Sequence, residues 1–218
     1  MLSGSRWRVI SKKAISNPGS ILPYLSRVIS DFTIYLKKRQ VKVCNIEGAV
    51  FYKYKGELYP ERLNQGNACA FILEKAEEYC CGRGVDIGAS KWPLPGATPI
   101  LDSQHQNAYK LDDFADGSLD YIFSSHCLEH LTRWKDALRL WITKLKPGGI
   151  LFLYLPHKSM KLWRPGAPWV EHDHKWIPQA KIINNFLKKN SMKVVEYNPG
   201  KDDYWSFYVV AKKVKGAA

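Results

Sequence analysis

The sequence predicts an α/β domain built on a mostly parallel sheet with helices on both faces. Two observations carry this. From Gly82 onward, short apolar runs alternate with stretches of helical periodicity, the pattern of strand–helix–strand units. The run 150–155 is apolar throughout rather than alternating, as strands covered on both faces are. The length, 218 residues, suits one such domain with an appendage.

Taken in order, Asn17-Pro18-Gly19-Ser20 is a break. Beyond it Leu22, Leu25, Val28, Ile29, Phe32, Tyr35 and Leu36 recur at three- and four-residue spacing. They predict a helix running into Lys37-Lys38-Arg39, cations suited to a helix C-terminus. Residues 46–60 alternate loosely, as a hairpin or a partly ordered lead-in would, and 66–81 read as a helix. Val85-Asp86-Ile87-Gly88 ends a buried strand, 98–102 forms a second and 119–125 a third. A helix over about 127–146 stops at Lys146-Pro147-Gly148-Gly149, because proline cannot continue it and glycine accepts positive φ. The apolar strand 150–155 ends at Pro156, a helix follows near 178–190, and strands 193–197 and 205–212 are close enough to pair as an antiparallel hairpin.

Lys and Arg exceed Asp and Glu by 33 − 20 = 13. The surplus sits at the two ends: 9 − 1 = +8 over residues 1–45, 12 − 14 = −2 over 46–157 and 12 − 5 = +7 over 158–218. Such flanks attract polyanions, either nucleic acid or an anionic membrane surface, or serve solubility alone. Five cysteines without a Cys-x-x-Cys pair, two of them adjacent (Cys80 and Cys81), read as a reduced intracellular set without a structural metal. No run of 18 apolar residues occurs, and the basic first 20 residues lack the apolar core of a secretory signal. The expected location is cytoplasmic, with the N-terminal helix either lying on a membrane surface or packing against the domain or a second subunit. Oligomeric state is not legible.

In an open α/β sheet the ligand crevice lies beyond the carboxyl ends of the strands. The residues there are Asp86, Gly88 and Ser90, then Asp102, then Ser125 and His126, and finally Pro156 and His157. Asp102 stands where a carboxylate can accept from both hydroxyls of a ribose.

GRGVDIGAS, FADGSLDYIFSSHCLEHL and LKPGGILFLYLPH occur in that order. They resemble the successive motifs of class I S-adenosylmethionine-dependent methyltransferases, specifically the type-11 group. The resemblance implies a Rossmann-like seven-stranded sheet with a C-terminal antiparallel hairpin, S-adenosylmethionine as cofactor, and methyl transfer as the reaction. It further implies that Asp86 orders the turn or receives the cofactor's amino group, with Gly88 beside the methionine end. Asp102 would take the ribose hydroxyls, Leu111 and Asp112 the adenine (Asn107 being a rival), and Ser125 with His126 the floor beneath the sulfonium. Two departures stand out. Ser90 and Trp92 occupy positions where that family usually has further glycines. The link from Ser90 to Asp102, with Pro93, Pro95 and Pro99, is also too short for the usual covering helix. That short link is similar to a subset found in surface-polysaccharide gene clusters, which makes a hydroxyl of a sugar or glycan-related small molecule the expected acceptor. The competing expectations are an RNA methyltransferase, against which the absence of a recognised RNA-binding module speaks, and a non-catalytic binder of the same fold.

His126-x-x-Glu129-His130 also matches a zinc-binding helix pattern, but His126 falls at a strand end, so Glu129 and His130 read as ordinary helix residues and no metal is expected. O-methylation profits from a base near neutrality, and histidine suits it. His157 and His126 are the catalytic candidates, with Glu171-His172-Asp173-His174 as a further cluster in a Trp- and Pro-rich loop, 158–177, placed to act as a lid. The division expected is a basic helical extension over 1–59 and a methyltransferase domain over 60–218.

Overall fold

The computed structural model describes residues 21–101 and 106–214. Its centre is a six-stranded sheet in the order β10-β11-β9-β8-β4-β5. β4 (Gly84–Ile87), β5 (Thr98–Ile100), β8 (Leu119–Ser125) and β9 (Leu145–Pro156) run parallel. β11 (Ser206–Lys213) is antiparallel to β9 and pairs with β10 (Met192–Asn198) in the expected hairpin. The seventh strand implied by the resemblance is absent among the described residues. Between β5 and β8 the described residues make only the small hairpin of β6 (Gln106–Asn107) and β7 (Lys110–Leu111), too little chain for a helix and a further strand. β5 is therefore an edge strand, and Pro99 is tolerated there because an edge needs no donor on its outer side.

One face of the sheet is covered by α3 (Trp134–Lys144) and α4 (Ala180–Lys189), whose buried residues Leu138, Trp141, Ile183 and Leu187 meet Val85, Ile122, Leu153 and Val209. The other face is covered by the short α2 (Leu73–Tyr79), the turns at 61–64 and 68–71, and the loop around Met160–Trp163. A three-stranded antiparallel meander joins them: β1 (Lys42–Ile46), β2 (Ala49–Tyr54) and β3 (Glu57–Pro60). Its two-residue turns, Glu47-Gly48 and Lys55-Gly56, have positive φ at both positions, the primed geometry that suits twisted hairpins. Tyr54 and Tyr59 reach from the meander into the same core as Phe123 and Phe152. Among the described residues, the N-terminal extension is helical over α1 (Ile21–Lys38) alone, and a boundary at 59/60 runs through β3.

The helix expected over 127–146 is broken. Its first part is a single tight turn at 128–130, and α3 begins at Trp134. The apolar spacing of Leu128 and Leu131 continues the helical period, but Leu131 is extended, at φ −90° and ψ +114°, and ends the turn. α1 docks through one side: Ile34 is buried, Lys37 donates to the Gly166 carbonyl, Lys38 pairs with Glu171, and His172 with Asp31. Its opposite side carries Leu22, Leu25, Ile29, Phe32 and Leu36, all exposed. At 100° per residue these five fall within a sector of about 80°.

Candidate functional site

The chain steps from β4 outward to β5 and returns to β8 on the other side of β4, so β4 and β8 part at their carboxyl ends. Open sheets bind ligands at this reversal. Gly88 leaves β4 there with φ +82°, donating its N–H to the Ile100 carbonyl at 3.0 Å. A Cβ on Gly88 would lie 2.5 Å from Cβ of Cys127, so the exits of the two strands touch. Ser90 follows at φ +51°, holding with a side chain the left-handed conformation that glycine usually supplies.

Asp86 is buried beneath this turn, and Leu94 donates its N–H to Oδ2 at 2.8 Å, closing the turn across its mouth. Oδ1 is also buried and has no hydrogen-bond partner among the described residues. Burial pushes the carboxyl up to about 6, and the Leu94 bond offsets this only in part. A buried carboxylate with one oxygen unanswered at a ligand crevice suits a cationic group, as the α-ammonium of a methionine moiety is.

Ser125 ends β8, and its hydroxyl is buried without a hydrogen-bond partner among the described residues. Asp102 lies outside the described residues. The Leu111 side chain is fully buried in the core with Ile100 and Phe114, and Asp112 is exposed and paired with Lys110 at 3.3 Å. Neither side chain is drawn toward Gly88 by a contact of its own.

The two catalytic candidates part company. His157 rests its ring on Phe207, on the side of the sheet that α4 covers, and its Nδ1 accepts the N–H of Ser159 at 3.2 Å. His126 turns to the opposite side, its ring edge-on to Trp163 and Tyr204. It lines a cleft of about 200 Å³ with Asn64, Trp163, Trp169, His174 and Tyr204. The loop cluster divides as well: His172 and Glu171 hold α1, whereas His174 is buried in the cleft. Glu129, read from the sequence as an ordinary helix residue, is fully buried against the cleft. Burial pushes Glu129 up to about 8, and lowers His126 to about 3 and His174 to about 4.

Residues 81–153 match the family model described as a methyltransferase domain. Over those residues the chain carries a methyltransferase domain. An S-adenosylmethionine-dependent methyltransferase from Thermotoga maritima has the same fold, with a TM-score of 0.53, 15% identity, and coverage of 70% of this chain and 92% of its own. A chain from the Haloferax volcanii complex of the Trm112 methyltransferase activator with a candidate methyltransferase superposes with a TM-score of 0.51 and 13% identity, covering 71% and 94%. No curated protein matches the sequence. The strand exits suit the S-adenosylmethionine that the resemblance implies: Gly88 has no room for a side chain, and Asp86 Oδ1 has no hydrogen-bond partner among the described residues.

If Asp86 faces the cofactor's ammonium, cofactor affinity is set by its protonation. The free carboxyl titrates at about 6 and a bound ammonium lowers it, so binding releases a proton below pH 6. Affinity is expected to be constant above about pH 7 and to fall toward tenfold per unit below pH 6. Calorimetry at pH 5 and pH 7.5 measures it, and equal dissociation constants would contradict the assignment.

Proposed function

We propose that this methyltransferase methylates a hydroxyl of a sugar or glycan-related small molecule, using His126, Trp163, Trp169 and Tyr204 to seat it. The observation that carries the reading is the cleft itself, which joins the Gly88 turn through Cys127 and His126 and is walled by aromatic rings. Flat aromatic faces beside a few polar groups suit the apolar faces and hydroxyls of a sugar ring. The cofactor supplies an activated methyl group on sulfur. What this chain adds is position: Gly88 lets the backbone approach, Asp86 orders the turn and answers the ammonium, and Asp102 is assigned to the ribose by the resemblance. Positioning provides most of the rate in such a transfer, and His126, held neutral by burial with its ring nitrogens turned to Ser206 and Glu129, contributes its ring to the wall of the cleft rather than carrying a proton. The decisive experiment is release of S-adenosylhomocysteine on addition of nucleotide-activated or lipid-linked saccharides. Turnover with oligoribonucleotides instead would favour the RNA alternative, and cofactor binding without turnover on any acceptor the non-catalytic one.

The short link from β4 to β5 supports an acceptor of the surface-polysaccharide type, and α1 supports one presented on a membrane. An apolar stripe turned outward, on a chain whose first 45 residues carry +8, suits the boundary of an anionic bilayer. No helix of the described residues is long and apolar enough to cross a membrane, so contact would be peripheral. Full-length protein is expected to sediment with vesicles containing phosphatidylglycerol, less so at high salt. The pair Ile29→Glu and Phe32→Glu is expected to cut the bound fraction several-fold without changing thermal stability. Equal sedimentation of wild type and variant would end the membrane reading.

A further inference from the structure

We infer that Glu129, His130 and His174 form a site for a divalent transition-metal ion, zinc being the ion this donor set suits. One donor atom from each of Glu129, His130 and His174 lies within 4.8 Å of the others. The Glu129 side chain is fully buried, yet neither carboxylate oxygen has a hydrogen-bond partner among the described residues, and the same is true of His174 Nδ1. Burying a carboxylate unpaired is among the costliest arrangements in a protein interior, so the cluster is built for a cation.

His126 strengthens the case through its tautomer. The Ser206 hydroxyl donates to the Tyr204 carbonyl at 3.1 Å. Its oxygen therefore accepts Nε2–H of His126 at 2.7 Å, leaving Nδ1 as the lone pair. That lone pair faces Glu129 Oε1 at 3.5 Å, and His174 Nε2 lies 3.9 Å from the same oxygen. With Glu129 ionised, two acceptors confront each other, a clash that a cation held by the carboxylate relieves. Ligands about 2.1 Å from a tetrahedral ion stand about 3.4 Å apart, and the separation of His174 Nε2 from the Glu129 oxygen is near this. Imidazole with carboxylate favours zinc, iron(II) or cobalt(II) over calcium or magnesium.

The surroundings fix the donors as a metal's outer contacts do. Lys175 donates its N–H to the Glu129 carbonyl at 2.8 Å, and Trp176 Nε1–H to the Leu128 carbonyl at 2.9 Å, tying the His174 loop to the 128–130 turn. Trp176 also stacks on Trp134 at 4.5 Å. His130 is exposed and the cleft opens beside it, so an ion would present a free coordination position to a hydroxyl-bearing acceptor. That role rests on the methyl-transfer reading. Binding of the ion does not.

The test uses the full chain, stripped with a chelator and titrated with zinc chloride by calorimetry, with cobalt(II) absorption as the second readout. One zinc per chain is expected, with a visible cobalt spectrum free of thiolate charge-transfer bands. His174→Ala should weaken zinc on the order of 100-fold and the exposed His130→Ala on the order of tenfold, both with native circular dichroism. Undiminished zinc binding in both variants, thiolate bands in the cobalt spectrum, or no zinc uptake at all would overturn the site. Calorimetry of the stripped protein with S-adenosylmethionine is run in parallel: failure there would strike the methyltransferase reading and leave the metal result to stand by itself.

Discussion

Asp86→Asn is expected to weaken S-adenosylmethionine on the order of 100-fold, equivalent to about 2.7 kcal/mol. Asparagine keeps an oxygen for the Leu94 N–H, so the turn that Asp86 closes at 2.8 Å survives. What disappears is the charge on a buried oxygen that has no other partner among the described residues. Removing one member of a buried, hydrogen-bonded charge pair costs about 2–5 kcal/mol. The folded protein tells a different story without cofactor. Its carboxyl sits above the unfolded value, at about 6 against 3.8, so the ionised group opposes folding above about pH 4 and increasingly so up to pH 6. The variant is thus expected to melt no lower than wild type at pH 7.5 while losing the ligand. A thermal shift with and without S-adenosylmethionine reads both. A variant that unfolds would show Asp86 to be purely structural, and one that binds normally would show the cofactor to be elsewhere.

Gly84→Ala is expected to cost about 3 kcal/mol or more, a fall of roughly 6–12 °C in melting temperature. Gly84 lies in β4 opposite Tyr121 of β8, and a Cβ there would fall 2.4 Å from three atoms of the Tyr121 ring. The ring is buried in a dense core beside Phe123 and cannot retreat. Because the fault is a clash with one side chain, the pair Gly84→Ala with Tyr121→Leu should be less destabilised than the sum of its singles, by at least about 1 kcal/mol. Additive costs would place the strain in the backbone instead. The same contact sets the spacing of β4 and β8, so cofactor binding should fall with stability.

These two positions also show what the sequence could convey. The strand ends at Asp86-Ile87-Gly88 and Ser125 were legible because burial on both faces leaves apolar runs with abrupt polar termini. The inner strands of the large sheet could be read this way, whereas the seventh strand came from resemblance alone and is not among the described residues. The meander was hard to read because Glu47-Gly48 and Lys55-Gly56 are ordinary dipeptides whose turn conformation declares itself only through φ. The stretch 127–133 was misread for a related reason: its apolar spacing fits a helix, and nothing in it signals that the backbone becomes extended at Leu131. Without that kink Glu129 looks like a surface residue, and no local pattern ties it to His174, 45 positions further on. His157 was chosen by position along its strand, but which side of the sheet a residue faces beyond a strand end depends on the turn that follows. The stripe on α1 was visible as a helical period, although a period cannot say which side is docked. The polar side turned inward because Glu171, His172 and the Gly166 carbonyl were there to meet it.

The central claim is that S-adenosylmethionine seats where β4 and β8 part, its ammonium answering Asp86. A co-crystal with S-adenosylhomocysteine tests it most directly. The account predicts density beyond the carboxyl ends of β4 and β5, with the amino nitrogen within hydrogen-bond reach of Asp86 Oδ1 and the sulfur on the side of Ser125 and His126. Density at the opposite rim of the sheet, or an amino group held by other residues with Asp86 still enclosed by protein, would contradict it.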